Sequence, residues 1–403
     1  MLSVKREVLT TPTHHEIKKP SSTHLEYRPE RIKTEALVVM AAKQPFTMMP
    51  ITLDEVRSDE YLIEMKYSGL CHTDLVLQQG LLPMIDFPAI LGHEGSGIVR
   101  AIGADVKDKT IQVGNHVLLS FNACGACRQC ESGHPAFCHI HPQVNHSGVR
   151  QSDQSTPACL ADGTSVRSQY FGHSSFSRVS VVNENCVIKI DPRDPMDTYA
   201  PLGCGFQTGA GTILNVLKPG PRDTVVVFGL GSVGLTALMA TASRGVHKII
   251  AVDIQDSKLE SSLDLGATET LNPKECPNVE QKIKEMTSGG ADFAIDCTGN
   301  AAVIQATVEC LAPGGTAAIV GVPPPNVKIE IDPLTFLLDN KTLTGIIEGD
   351  SVPKKTIPEL IQLHRNGKFP IERLCKIYPV KDLDQALSDL KAGKVVKPVI
   401  QWD

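Results

Sequence analysis

The stretch Thr224–Asp253, TVVVFGLGSVGLTALMATASRGVHKIIAVD, decides the fold. It reads as a buried strand, a glycine turn, a helix and a second strand. Gly229, Gly231 and Gly234 stand in G-x-G-x-x-G spacing, directly after an apolar run and at the start of a helical pattern. The first glycine permits a tight turn, the second lets a pyrophosphate approach the backbone, and the third lets helix and strand pack closely. Free N–H groups at the helix N-terminus then face the phosphates. Asp253 ends the next strand. A carboxylate there accepts hydrogen bonds from ribose hydroxyls and repels a 2′-phosphate, so NAD is expected over NADP. The bland alternative is a structural glycine turn with a surface Asp; pattern, context and acidic residue together favour the dinucleotide site.

Downstream, ADFAIDCTG, GGTAAIVGV and KTLTGIIEG supply further strands, with helical stretches such as NAAVIQATVECLAPG between them. This alternation predicts an α/β region with a parallel sheet covered by helices. Upstream, from Ala36, ALVVMAA, YLIEMKYSGLC, SGIVRAIG and NHVLLSF read as short strands split by turns, a β-rich part with long loops. The chain closes with two helices and a last strand. Residues 143–175 carry few apolar positions and are expected to form a functional or mobile loop. Residues 1–34 are polar and expected to be a flexible extension.

A chain of 403 residues is too long for one ordinary core and suits two domains. Its net charge of −6 and its single Trp argue against a nucleic-acid surface, and no strong attraction to a membrane is implied. No apolar run reaches the ~20 residues that span a bilayer, and the N-terminus lacks the apolar core of a signal peptide. A cytoplasmic, reducing setting is expected, where clustered cysteines are metal ligands or catalysts more often than disulfides.

Such a cluster is CGACRQCESGHPAFC, Cys124–Cys138. Four thiolates at this spacing match a closed tetrahedral zinc site with Cys124, Cys127, Cys130 and Cys138 as ligands. Disulfides between cysteines three apart would be strained, and nothing marks an accessible low-pKa thiol. His134, His139 and His141 read as bystanders. Elsewhere stand GLCHTD, LGHEGSG and PLGCGFQTGAG. Cys71, His93 and Cys204 could supply a catalytic Cys2His set from three loops, although spacing alone does not single them out.

CHTD, GHEGSG, the four-cysteine loop, GCGFQTGAG, GLGSVG and GVPP occur in one order. Together they resemble the zinc-dependent, medium-chain alcohol dehydrogenases, from about Ala36 to Ile400. FGHSSF and GIIEGDSVPKKTIPELIQL are most similar to the aryl-alcohol (benzyl-alcohol) dehydrogenase branch. The resemblance implies a GroES-like catalytic β-barrel domain built from 35–205 and 347–403. A Rossmann NAD-binding domain, 206–346, is inserted into it, with the active site in the cleft between them.

Carried over by motif, Cys71, His93 and Cys204 bind the catalytic zinc, and Glu94 sits behind it. Asp74 orients His93. Thr73 takes the proton of the alcohol. His72 lies against the cofactor pyrophosphate, Thr208 near the nicotinamide, Lys258 at the ribose beside Asp253, and Lys397 near the pyrophosphate. Two positions depart from the pattern. Val76 stands where many members carry the His that ends the proton relay. Lys397 replaces an Arg, keeping the charge but losing the bidentate fork.

The implied activity is that of an NAD-dependent zinc alcohol dehydrogenase (EC 1.1.1.-) with two zinc ions per chain. It would act on a primary alcohol or aldehyde, aryl or allylic. Rivals within the family are a glutathione-dependent formaldehyde dehydrogenase and an aldehyde or ketone reductase of a specialised pathway. A zinc-stabilised protein that holds dinucleotide without turnover is disfavoured, because Cys71, His93 and Cys204 are all present. Residues 143–175, Phe121 and Ile346 are expected to shape the substrate pocket. A homodimer or homotetramer is implied.

Overall fold

Thr224–Phe228 is the central strand of a six-stranded sheet in which every neighbouring pair is parallel. Across the sheet the order is Glu269–Leu271, Lys248–Val252, Thr224–Phe228, Ala291–Asp296, Leu311–Ile319, Thr342–Gly345. Counted along the chain this is 3-2-1-4-5-6, the order of dinucleotide-binding folds, with its crevice where the order reverses. Val225, Val226 and Val227 are fully buried because helices cover both faces. Gly229 turns at φ +87°, and a Cβ on Gly234 would lie 1.9 Å from the Gly229 carbonyl oxygen. The turn and the close packing read from the sequence are both present.

The computed structural model describes residues 31–402; the expected N-terminal extension lies, up to residue 30, outside the described residues. The first strand, Ile32–Val39, starts before Ala36 because Ile32 and Thr34 pair with Leu53 and Ile51 of the strand Thr47–Leu53. Two mainly antiparallel sheets fill the β-rich part. The larger has seven strands and centres on Glu60–Gly69. The last strand, Lys397–Gln401, joins it through Val399 opposite Gly69 and Ile400 opposite Ser68. Early and late strands of the described residues therefore share the β-rich part, and the parallel sheet lies between them in sequence.

Residues 143–175 are not a loose loop. Ala158–Cys159 and Ser165–Val166 form a hairpin that extends the smaller sheet. Arg150 is buried, with Nε donating to Glu60 Oε1 at 2.7 Å and Nη1 to Asp54 Oδ2 at 2.9 Å. Arg57 binds Ser152, Asp153 and Ser155. Ser152, Asp153 and Ser155, among the polar residues that suggested mobility, are held in these pairs.

The two parts meet along the helix Gly205–Gly211. A Cβ on Gly209 would sit 2.0 Å from the Val233 carbonyl oxygen, so this helix touches Ser232–Ser243 backbone to backbone. One apolar cluster runs through the contact, from Leu118 and Phe206 to Leu235 and Ile357. No helix among the described residues is long and apolar enough to cross a membrane.

Candidate active site and metal centres

Cys71 caps the helix His72–Gln78 with extended backbone, and Asp74 stands at the third helical position. Asp74 is wholly buried yet has three partners. Its Oδ2 accepts the Cys71 N–H at 3.2 Å, and its Oδ1 accepts the Gly92 N–H at 3.0 Å and faces His93 Nδ1 at 3.0 Å. A carboxylate acceptor fixes the proton of His93 on Nδ1 and leaves Nε2 as an acceptor. That Nε2 is buried and has no hydrogen-bond partner.

Cys204 supplies the third arm from the start of the helix Gly205–Gly211. The ligand atoms of Cys71, His93, Glu94 and Cys204 all lie within 4.8 Å of one another. A hydrogen bond from Cys204 holds the Cys71 thiol well below the usual range, while the same bond and burial hold Cys204 well above it. Two adjacent thiolates would repel, and a shared cation removes the conflict. With the orphaned imidazole nitrogen, this donor set fits a zinc ion.

Glu94 is held from behind. Lys397 Nζ lies 2.8 Å from each carboxylate oxygen, and the Gly205 N–H donates to Oε1 at 3.1 Å. Lys397, expected near the pyrophosphate, has its ammonium engaged by Glu94 and the Leu70 carbonyl. It remains near the glycine turn: a Cβ on Gly205 would lie 3.3 Å from Ser232 Oγ and 3.7 Å from Lys397 Nζ.

On the other side of Cys204 stands Glu348, unmarked as a site residue by any motif. Its Oε1 is 3.7 Å from Cys204 Sγ, and its Oε2 accepts the Thr208 hydroxyl at 3.2 Å. Burial pushes its carboxyl up to about 7. Glu348, Gly349 and Asp350 all have positive φ. The turn is tied down by His134, whose Nδ1 lies 2.9 Å from both Asp350 carboxylate oxygens. His134 belongs to the four-cysteine loop but, as expected, stands outside its four-sulfur donor set. It joins that loop to the turn that touches Cys204.

Within the loop, Cys127 Sγ is 3.6 Å and Cys124 Sγ 3.9 Å from Cys130 Sγ, far beyond a disulfide bond of about 2.05 Å. The four sulfurs, Cys138 included, lie within 4.8 Å of one another, a second donor set that fits zinc. Backbone N–H groups of Cys130 and His139 lower Cys127 to about 6.

At the glycine turn, Asp253 Oδ2 accepts the Leu230 N–H at 2.7 Å and Oδ1 the Gln255 N–H at 3.0 Å. Lys258 Nζ lies 3.9 Å from Asp253 Oδ2. A Cβ on Gly231 would meet nothing within 4 Å, which leaves open space for a phosphate over the backbone. Thr73 Oγ1 is 3.7 Å from Cys71 Sγ; His72 is exposed and Val76 half-buried.

An aromatic wall flanks His93. Phe171 stacks on its ring at 4.5 Å between centroids, and Tyr170 meets it edge-on at 5.4 Å. Behind stand His146, 5.5 Å from Phe171, and His141, 5.9 Å from His146. His141, outside the four-sulfur donor set as expected, is buried against Phe121. Burial lowers both histidines to about 4. His139 is exposed, and Ile346 packs in the apolar cluster of the helix Gly205–Gly211.

Two family models match the chain: an alcohol dehydrogenase GroES-like domain over residues 57–192 and a zinc-binding dehydrogenase domain over 232–366. A geraniol dehydrogenase of Castellaniella defragrans is 36% identical over 92% of this chain and 98% of its own. An S-(hydroxymethyl)glutathione dehydrogenase of Saccharomyces cerevisiae is 35% identical over 92% of this chain and 97% of its own. The crystal structure of benzyl alcohol dehydrogenase from Acinetobacter calcoaceticus superposes with a TM-score of 0.87 at 38% identity, covering 92% of this chain and all of that one.

Proposed function

This chain belongs to the zinc-dependent medium-chain alcohol dehydrogenases, and from that premise we propose that it moves a hydride between NAD(H) and a primary aryl or allylic alcohol. One observation carries the reading. The buried acceptor Nε2 of His93 converges with Cys71 and Cys204 beside a stacked aromatic wall. Geraniol is an allylic alcohol and benzyl alcohol an aryl one, so the names of the two relatives support the same substrate class.

In this reading Cys71, His93 and Cys204 hold the catalytic zinc and the four-cysteine loop holds a structural one. Zinc, when bound, polarises the alcohol or carbonyl oxygen. Everything else falls to the chain. Asp74 keeps the His93 proton on Nδ1 so that Nε2 can ligate. The pair Glu94–Lys397 fills the space behind the ligands with fixed, matched charge. Thr73 receives the alcohol proton, and because Val76 has no acceptor, that proton leaves toward solvent by another route than a histidine at that position. Phe171 and Tyr170 confine the substrate ring. The glycine turn, Asp253, Lys258 and Thr208 would hold NAD, which would supply the hydride acceptor. Asp253 favours NAD over NADP.

The aromatic wall also favours this class over the glutathione adduct suggested by the yeast relative, since two carboxylates of glutathione call for cationic partners. We read the assembly as a homodimer or homotetramer through the sheet edge Thr342–Gly345, near which Leu334, Leu337 and Leu338 are exposed. The test is a comparison of kcat/KM for benzyl alcohol, geraniol, ethanol and S-hydroxymethylglutathione with NAD⁺. Preference for the first two supports the reading, and preference for either of the others contradicts it.

A further inference from the structure

The wall beside His93 is not wholly apolar. Tyr170 is fully buried and its hydroxyl has no hydrogen-bond partner. His146 Nδ1 and His141 Nε2 are also buried without partners, in side chains more than nine-tenths buried. The rings form one contiguous path. His93 meets Tyr170 at 5.4 Å, Tyr170 meets His146 at 6.1 Å, His146 meets His141 at 5.9 Å, and His141 meets Phe121 at 6.1 Å.

Each orphaned buried polar group costs about 1–3 kcal/mol. Three in one cluster, none of them needed to orient a metal ligand, call for an explanation. Packing does not require them, because Phe or Leu would fill the same volume without the penalty. A pocket built to hydrogen-bond its substrate carries this signature, since the cost is recovered only by the right ligand. His141 and His146 are on the short helix His141–His146, and Tyr170 starts the turn Tyr170–Gly172. The helix follows the four-cysteine loop directly, and its Asn145 exchanges hydrogen bonds with the backbone of Asn122.

We propose that His141, His146 and the Tyr170 hydroxyl form a polar pole of the substrate cleft that selects alcohols bearing a hydrogen-bonding oxygen remote from the reacting carbinol. The inference rests on the aryl or allylic reading and names the substrate class within it. An uncharged imidazole donates at one nitrogen and accepts at the other, and a phenol does both. The pole therefore suits a neutral hydroxyl or ether oxygen. A plain hydrocarbon ring would leave all three groups unpaired.

The experiment compares 4-hydroxybenzyl alcohol with benzyl alcohol as a ratio of kcat/KM, in the native enzyme and in His146→Phe, His146→Gln and Tyr170→Phe. The native ratio should reach roughly two- to tenfold, one hydrogen bond's worth. His146→Phe and Tyr170→Phe should each cut it several-fold, and His146→Gln, which keeps donor and acceptor, should restore part of it. A second arm measures binding of 4-hydroxybenzoate and benzoate to the same proteins with NADH present, by calorimetry. It reads the pole whether or not any alcohol turns over. Turnover of benzyl alcohol with a ratio near one, or a ratio and binding difference unmoved in every variant, overturns the pole alone. Failure of all alcohols to turn over would sink the functional reading, and the binding arm would still decide the pole.

Discussion

Lys397, in the last strand of the chain, places its ammonium 2.8 Å from both carboxylate oxygens of Glu94, and both side chains are almost fully buried. Burial opposes the charge on Lys397, yet Glu94 beside it raises its pKa overall. Removing one partner leaves an unpaired buried charge, which costs about 3–5 kcal/mol. Lys397→Met should therefore lower the stability of the holoenzyme by that order, read by urea unfolding. Lys397→Met with Glu94→Leu should recover part of the loss, and a double-mutant cycle measures the coupling.

Asp74 acts on His93 through one hydrogen bond to Nδ1. Asp74→Asn frees the tautomer and weakens the donor. Affinity for the metal at Cys71, His93 and Cys204 should fall about 10–100-fold. Titration with a competing chelator should show one weakened equivalent and one unchanged, the latter from the four-cysteine loop.

Asp253 sits at the end of Lys248–Val252, where its carboxylate would face a ribose. Asp253→Ser should raise KM for NAD⁺ by roughly tenfold, the worth of a hydrogen bond to a charged acceptor. The same change should improve NADP⁺ relative to NAD⁺. Initial rates with both cofactors check this.

His141 and His146 are lowered by burial to about 4, from an ordinary value of 6.5. The unfolded chain then binds more protons than the folded one below pH 6.5. Stability is fully present above 6.5 and is lost as pH falls toward 4. Each histidine should account for roughly 2 kcal/mol of that loss. In His146→Gln the fall in stability between pH 6.5 and 4 should be smaller than in the native protein, measured by denaturant unfolding across that range.

The sequence made legible what is local. The glycine turn needs ten consecutive residues, and the four thiols span fifteen. Alternating strand and helix patterns implied a parallel sheet, and its strand order is that of a dinucleotide fold. What stayed hidden depends on partners far away in sequence. Lys397 and Glu94 are 303 residues apart, and His134 and Asp350 are 216 apart. Residues 143–175 look mobile by composition because composition does not say whether Arg150 finds Glu60. For the same reason His141 and His146 carry no signal in the sequence that separates them from surface histidines; only folding brings them behind Tyr170 and Phe171. Glu348 offered a faint clue, a lone acid in the apolar run GIIEG.

The proposed function stands on hydride transfer from an alcohol carbon to a nicotinamide. The most direct measurement oxidises benzyl alcohol carrying two deuterons on its carbinol carbon, with NAD⁺, and locates the label by NMR. One deuteron is expected at C4 of the reduced nicotinamide and one in the aldehyde. Unlabelled reduced cofactor, or aldehyde formed without reduced cofactor, would contradict hydride transfer.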